Sequence, residues 1–310
     1  MIWVVVSAVA LFIAVILARL LMGRTGRDLL PTHLQLRVPE LHPALEGARI
    51  ALLSDLHVGR LHVPTDQLIA AVEDVSPDIL LLGGDYAAER ENQPEALQLV
   101  ERLSEGQPTF GIAGNADHHQ DLDLRTLRRS LQASGGDLLI NEAGQARVGD
   151  AIVEILGVDD PLRGNADVDA TAAQASDDAD LRIGLCHSPA LWSELSRLGA
   201  QITLVGHSHG GQVRLPGFEA HFTHMTYPRE LASGLFRYEG GAELPERVAS
   251  HQQVLRATGP LSASAASGPL LYVTRGVGMG VVPVRLGCPA EILVIELVRE
   301  DAGGDGRDDV

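Results

Sequence analysis

Lysine is missing from this chain: all 24 basic residues are arginine. That excludes a Schiff-base or lysine-nucleophile mechanism. Cysteine is nearly absent too, with only Cys186 and Cys288, so no disulfide framework is expected and a reducing compartment is compatible. Cys186 stands just before His187 at a strand end and reads as a small buried hydrophobe, not a ligand. Aromatics make up only 4% of the residues, which leaves the core to Leu, Val, Ile and Ala. Positive charge is scarce against 41 acidic residues, and the formal net charge is −17. An exterior of that sign argues against nucleic-acid binding through phosphate neutralisation. It would not be drawn to anionic lipid either. No internal repeat is evident.

Long apolar runs are confined to the amino terminus. Ile2 to Met22 is interrupted only by Ser7 and Arg19. As a helix it would extend about 31 Å, enough to cross a bilayer. A cleaved secretory signal fits less well, because no Lys or Arg precedes the run and no small-x-small site closes it. Residues 1–23 are therefore expected to be a transmembrane anchor. Arg19, Arg24 and Arg27 lie at its far end, so the positive-inside rule places the rest of the chain in the cytoplasm. The expected location is a membrane crossed once. Residues 24–47 read as a polar, Pro-punctuated connector with one short strand, His33–Val38.

From Ala48 the pattern becomes rhythmic. Apolar runs Ile50–Leu53, Ile79–Leu82, Thr109–Ala113, Ile152–Leu156, Leu181–Leu185 and Ile202–Val205 each predict a buried strand. Helical patterns lie between them: Thr65–Val75 with Thr65 as cap, Pro94–Leu103, Leu122–Ser134 and Pro189–Leu198. Such alternation implies a layered α/β domain over residues 48–299. Asn165–Asp180, rich in Ala and Asp, predicts a solvated loop. Glu239–Gly268, with one helical stretch near Leu244–Leu255, predicts a lid or an insertion. The acidic tail, residues 300–310, predicts disorder.

The strands end in residues that bind metals. Asp55-Leu56-His57, Gly84-Asp85, Gly114-Asn115, His187 and Gly206-His207-Ser208-His209 each follow an aliphatic run. In open α/β sheets the site gathers at the carboxyl ends of strands, where these residues fall. Carboxylates and an amide oxygen suit hard cations, imidazoles suit Mn, Fe or Zn, and no thiolate is required. Two such ions side by side can activate water and clamp a phosphoryl group for in-line displacement. Gly84, Gly114 and Gly206 each precede a ligand and are expected to permit the sharp turn there.

The order D-x-H, G-D, G-N, H, G-H-x-H resembles the calcineurin-like metallophosphoesterase superfamily. Gly206-His-Ser-His-Gly-Gly-Gln-Val-Arg-Leu-Pro216 and Arg275-Gly-Val-Gly…Pro283-Val-Arg-Leu-Gly-Cys-Pro-Ala-Glu291 look like its membrane-associated YaeI/YkuE-like branch. That branch includes hydrolases of UDP-2,3-diacylglucosamine in lipid A synthesis. The resemblance implies a four-layer α/β/β/α sandwich and two divalent ions. It implies that Asp55, His57 and His209 hold the first ion, that Asp85 bridges both, and that Asn115, His187 and His207 hold the second. Asp85 and Asn115 would also serve catalysis. The implied reaction is hydrolysis of a phosphodiester or pyrophosphate bond, with a membrane-resident substrate suiting the anchor.

One position departs from the family. The asparagine is normally followed by histidine, G-N-H-[DE], and here the run is Gly114-Asn115-Ala116-Asp117-His118-His119. The missing histidine is the residue the family uses to protonate the leaving group, worth about 10²–10⁴-fold in rate. Three readings follow: His118 or His119 reaches the site instead, the enzyme acts on an activated bond without the acid, or the chain is a metal-binding membrane scaffold. Arg60, Arg214 and Arg285 are candidates to grip a phosphate. His33, His42, His62, His221, His224 and His251 read as surface residues, with His221 and His224 able to touch substrate. Asp159-Asp160-Pro161 reads as a turn.

Overall fold

The computed structural model describes residues 27–214, 228–238 and 245–300. Residues 1–26, His221, His224 and residues 301–310 of the acidic tail lie outside these residues, while Glu300, expected in that tail, ends a strand and accepts from Ser264 Oγ at 2.6 Å. Among the described residues no helix is long and apolar enough to cross a membrane.

Two seven-stranded sheets face each other. The first runs in the order β12 (Leu261–Ser264), β1 (Leu29–Pro39), β14 (Ala290–Glu300), β2 (Arg49–Leu53), β3 (Ile79–Leu82), β4 (Thr109–Gly111) and β5 (Asp137–Leu138). The second runs β11 (Glu246–Ser250), β10 (Gly234–Arg237), β13 (Leu270–Val273), β9 (Ile202–Val205), β8 (Leu181–Leu185), β7 (Ala151–Gly157) and β6 (Glu142–Val148). β2, β3, β4 and β5 are parallel, as are β7, β8 and β9, so their carboxyl ends meet on one side. That shared end carries the metal-binding patches.

Alternation along each strand separates three cores. Leu52, Leu81, Ile112, Ile155, Ile183 and Leu204 meet between the sheets. On the outer face of the first sheet, Leu53, Leu80 and Leu82 pack under α1 (Thr65–Val75), α2 (Gln93–Leu103) and α4 (Leu124–Ala133). On the outer face of the second, Leu156, Val205 and Val273 pack under α6 (Trp192–Arg197). The result is the α/β/β/α layering that the resemblance implies. A short α3 (Asn115–His119) follows β4 directly and sits at the site.

Several segments differ from their sequence reading. The connector holds β1, eleven residues long and paired over its whole length with β14. Its alternate residues Leu34, Leu36 and Val38 enter the inter-sheet core, so burial of one face makes it a sheet strand. Thr65 is the first residue of α1 and Pro64 precedes it as cap. The loop expected at Asn165–Asp180 contains α5 (Val168–Ala172), capped by the Asp167 carboxylate, with Thr171 fully buried. The described part of the expected lid, residues 245–268, supplies β11, α7 (His251–Arg256) and β12, which complete edges of both sheets instead of closing over the site. Small residues there satisfy close strand packing, which composition alone reads as loop. His251 is buried, with Nδ1 2.8 Å from Ser233 Oγ and Nε2 3.1 Å from the Gly287 carbonyl; burial drives its pKa down to about 3.

Candidate metal centre and active-site cavity

Five of the seven expected ligands have positive φ: Asp55 at 56°, His57 at 40°, Asp85 at 57°, His207 at 66° and His209 at 51°. Non-glycine residues avoid this region, at a cost of about 1–2 kcal/mol each, so the fold must hold them there. The turn is made by the ligands themselves. Gly84 shares it, with φ 85°, but Gly114 has φ −102° and serves a different purpose. A Cβ on Gly114 would lie 2.2 Å from Asp85 Oδ1 and 2.8 Å from His187 Cε1. A Cβ on Gly206 would lie 2.1 Å from Ser54 Oγ and 2.4 Å from Asp55 Oδ2. Space for the neighbouring ligand, not backbone freedom, requires these two glycines.

Asp55, His57 and His209 form one group in which ligand atoms lie within 4.8 Å of one another, and Asp55, Asp85 and His187 form a second. Asp85 Oδ2 is 3.3 Å from both His57 Nε2 and His187 Nε2, so it lies between the two halves of the centre. Asp55 is the residue that the two groups share, with Oδ1 3.5 Å from His209 Nε2. Two carboxylates therefore stand between the halves: Asp85, to which the resemblance gives the bridge, and Asp55, common to both groups. Asn115 Oδ1 is 3.1 Å from His187 Nε2 and 2.7 Å from His207 Nδ1, which gathers the remaining three candidates at the second half.

The surroundings orient these groups. His187 Nδ1 donates to the Gly83 carbonyl at 2.8 Å, which leaves Nε2 as the inward-facing donor atom for a cation. Ser54 Oγ and the His207 amide donate to the Asp55 carboxylate. The Ala116 amide donates to Asp85 Oδ1 at 2.7 Å. Asp117, passed over in the sequence, is fully enclosed, and its carboxylate accepts from the amides of Asp85, Tyr86 and Gly114 at 2.8–2.9 Å. It ties the Asp85 turn to the Asn115 turn.

Electrostatics suit a cation. Burial alone would raise the Asp85 carboxyl, but His187 and His57 outweigh it and hold the group well below the usual range. Asp55 is lowered likewise, with His209 and His187 overcoming burial. Burial drives the His209 imidazole down to about 3. His57 Nε2, His207 Nε2 and His209 Nδ1 are buried without a hydrogen bond of good geometry. Unpartnered imidazole nitrogens beside ionised carboxylates are costly unless a cation takes them. The residues present therefore fit two divalent ions with mixed N and O ligands.

The centre floors a cavity of about 650 Å³ lined by His57, Asp85, Asn115, His207 and His209, with Arg60, Glu89, Ala116, His119, Gln120, Arg163 and the Gly280–Val282 loop in its walls. Ala116 and His119 are three apart on α3 and share a face, so both line the cavity. His118 lies off that face, and its Nε2 is 2.6 Å from Asp159 Oδ1. That contact raises its pKa, in spite of partial burial. Arg60 reaches the cavity wall, paired with Glu89 and donating to the Gly280 carbonyl at 3.2 Å. Arg214 and Arg285 do not line the cavity. Arg285 is buried and donates to the carbonyls of Arg275, Gly278 and Cys288; Arg214 is buried and donates to the Gly210 carbonyl and Ser233 Oγ. These two arginines brace backbone where sequence could only count their charges. Arg163 was not foreseen. The turn signal at Asp159-Asp160-Pro161 was the available clue, since Asp160 Oδ2 accepts from the Leu162 and Arg163 amides and so shapes the loop that carries Arg163 to the wall.

The calcineurin-like phosphoesterase family profile matches residues 48–211, which span both halves of this centre. The chain belongs to that family, a class of hydrolases that use two divalent metals. Over 257 residues it is 27% identical to Phosphodiesterase YaeI of Escherichia coli (strain K12), covering 81% of this chain and 82% of that one. It is 25% identical over 259 residues to the uncharacterized metallophosphoesterase YkuE of Bacillus subtilis (strain 168), covering 81% and 79%. It is 28% identical over 178 residues to the uncharacterized metallophosphoesterase YkoQ of the same organism, covering 56% of this chain and 65% of that protein.

Proposed function

We propose that this chain is a two-metal phosphoesterase, held at the bacterial inner membrane by its apolar amino terminus, that hydrolyses a phosphodiester or pyrophosphate bond in a lipid-linked nucleotide. The observation that carries this reading is the convergence of Asp55, His57, Asp85, Asn115, His187, His207 and His209 in one cluster, of which His57, Asp85, Asn115, His207 and His209 line one cavity while Asp55 and His187 lie buried beneath it. The name of YaeI, a phosphodiesterase, supports the bond class. The anchor, the single crossing and the cytoplasmic side are carried by the sequence of residues 1–27. Bound there, two divalent ions such as manganese would supply Lewis acidity toward the phosphoryl oxygens and make water acidic enough to attack.

The chain's own residues do the rest. Asn115 presents its amide beside the position where charge develops on phosphorus oxygens. Arg163 and Arg60 in the cavity wall have guanidinium donors for the remaining phosphate oxygens. His119, on the face of α3 that the family gives to its acid, is the histidine in reach of a leaving oxygen. A nucleoside monophosphate leaving from a diphosphate is a weak base and needs less of that proton. UDP-2,3-diacylglucosamine, which releases UMP, is accordingly the substrate to test first.

Ala116 favours a second reading, a catalytically weakened metal-binding scaffold. One experiment separates the two: the full chain in detergent, loaded with Mn²⁺, is assayed for UMP release, with Asp85→Asn beside it. Turnover lost in Asp85→Asn supports the hydrolase. Silence that Ala116→His turns into turnover supports the scaffold, and silence in both removes this substrate.

A further inference from the structure

Four large apolar side chains are exposed among the described residues: Leu30 at 40%, Leu162 at 46%, Val281 at 72% and Val282 at 51%. Scattered exposed leucines need no explanation, but these four share one end of the molecule. β1 starts opposite Ala290, and β14 runs antiparallel to β2 with Leu293 opposite Leu52. Leu30 therefore sits at the carboxyl end of β2, the end that leads into Asp55. Val281 and Val282 line the mouth of the metal cavity, and Leu162 precedes Arg163, which lines it from the second sheet.

The display is built. Gln212 Nε2 donates to the Val282 carbonyl at 2.7 Å, and the Gly280 amide donates to Gln212 Oε1 at 2.6 Å. Across the mouth, Asp160 Oδ2 fixes the Leu162 and Arg163 amides at 2.9 and 2.7 Å. These bonds fix the backbone that carries the apolar side chains. β1 begins at this same end, and in sequence Leu29 is seven residues after Met22, the end of the apolar run. Seven residues reach at most about 25 Å.

We propose that this end docks on a lipid bilayer, with Val281, Val282 and Leu162 entering the acyl region and the cavity mouth opening onto the headgroups. The proposal rests on the anchored-phosphoesterase reading above. It specifies a substrate whose acyl chains stay in the bilayer while its phosphate enters the cavity beside Arg163. With a net charge of −17, docking is apolar and needs no anionic lipid.

The test uses the full chain in phosphatidylcholine nanodiscs, with nitroxide labels on Val281→Cys, Val282→Cys and Leu162→Cys in turn. Cys186 and Cys288 are fully buried, which keeps the native thiols from the label. Glu105, in the turn before the amino end of β4, is the control at the opposite end. Docking predicts oxygen-rich, nickel-poor relaxation at the three rim positions and the reverse at Glu105. Rim labels as water-accessible as Glu105, in protein that still floats with the discs, overturn docking and leave the anchor standing. Protein that does not float overturns both. In a second arm, Val281→Asp with Val282→Asp lowers turnover of UDP-2,3-diacylglucosamine in phosphatidylcholine vesicles relative to bis(p-nitrophenyl) phosphate in water by about tenfold or more. An unchanged ratio contradicts docking. If unsubstituted protein cleaves neither compound, the phosphoesterase reading fails while the labels still decide the docking.

Discussion

Asp117 gives the sharpest test of how the centre is held. Its carboxylate accepts three backbone amides, two on Oδ2 from Asp85 and Gly114 and one on Oδ1 from Tyr86. Asp117→Asn keeps the shape but has one acceptor oxygen. If that oxygen takes the Oδ2 place, the side-chain NH₂ faces the Tyr86 amide, leaving a buried donor without a partner at about 1–3 kcal/mol. The two retained bonds lose their charge assistance, about half their strength. Together the change costs about 3 kcal/mol, a fall in Tm of roughly 6–12 °C for a domain of this size. Burial, then the nearby Asp85 charge, push Asp117 up to about 7 against the lowering by its three amides, so the loss of charge assistance applies in full above that pH. Because these amides fix the turns bearing Asp85 and Asn115, metal binding should weaken by about 10–100-fold, as for supports of other metal ligands. Scanning fluorimetry reads the first quantity and Mn²⁺ titration calorimetry the second. An Asn variant that melts with the parent and binds within about threefold would refute the idea that Asp117 organises the centre.

His119→Ala should lower kcat about 10²-fold on a diester with an alkoxide leaving group and far less on a p-nitrophenyl diester, whose leaving group needs no proton; equal losses on both would remove His119 as the acid. Glu291→Gln should destabilise by about 3–5 kcal/mol in chemical denaturation, because it leaves the buried Arg275 guanidinium, now 2.9 Å from Glu291 Oε1, without its anion. His118 is raised by its bond to Asp159, while Asp159 is lowered because His118 outweighs burial. The pair therefore stabilises the fold between the unfolded pKa of the acid and that of the histidine. Its contribution fades as pH falls through the depressed Asp159 value and as pH rises through the elevated His118 value. NMR titration of Asp159→Asn should show the His118 value falling, and an unmoved value would contradict the pairing.

The legible part of this chain was the part written in short-range pattern. β2 from Ile50 and β3 are buried on both faces and read as continuous aliphatic runs, β9 is broken only by Thr203, and β8 keeps its aliphatic residues at alternate positions around Arg182 and Gly184. The ligands follow them directly, so strand ends and chemistry were found together. β10 and β12 lie where sheets are completed by distant chain, and tertiary pairing makes them strands; β1 was read only over His33–Val38 of its eleven residues, and the aliphatic run of β14 was passed over. Glu291 shows the same limit in the site's support. The sequence places it in a family pattern; the structure shows that its carboxylate accepts from Thr32, Tyr272, Thr274 and the Arg275 amide, joining strands of both sheets. Arg214 and Arg285 misled for a related reason. Their charges advertise phosphate binding, whereas their buried guanidinium groups brace the loops behind His209.

Left-handed backbone at five ligands explains why the departure at Ala116 leaves the metal groups intact. The bonds around them do not involve a side chain at position 116: the Asp85 amide to Asp117, the His57 amide to the Asp85 carbonyl, Ser54 Oγ and the His207 amide to Asp55, and Arg285 to the His209 carbonyl. Residue 116 contributes its amide to Asp85, and alanine supplies that as well as histidine does. Losing an imidazole there removes an acid from the cavity wall without releasing strain at its floor. The helix period of α3 then brings His119 to the same wall, one turn further along. Metal affinity and proton donation are thus separable in this fold, so a variant can lose one and keep the other. Titrating metal into Ala116→His and His119→Ala, with turnover measured in parallel, should show affinity unchanged while rates diverge.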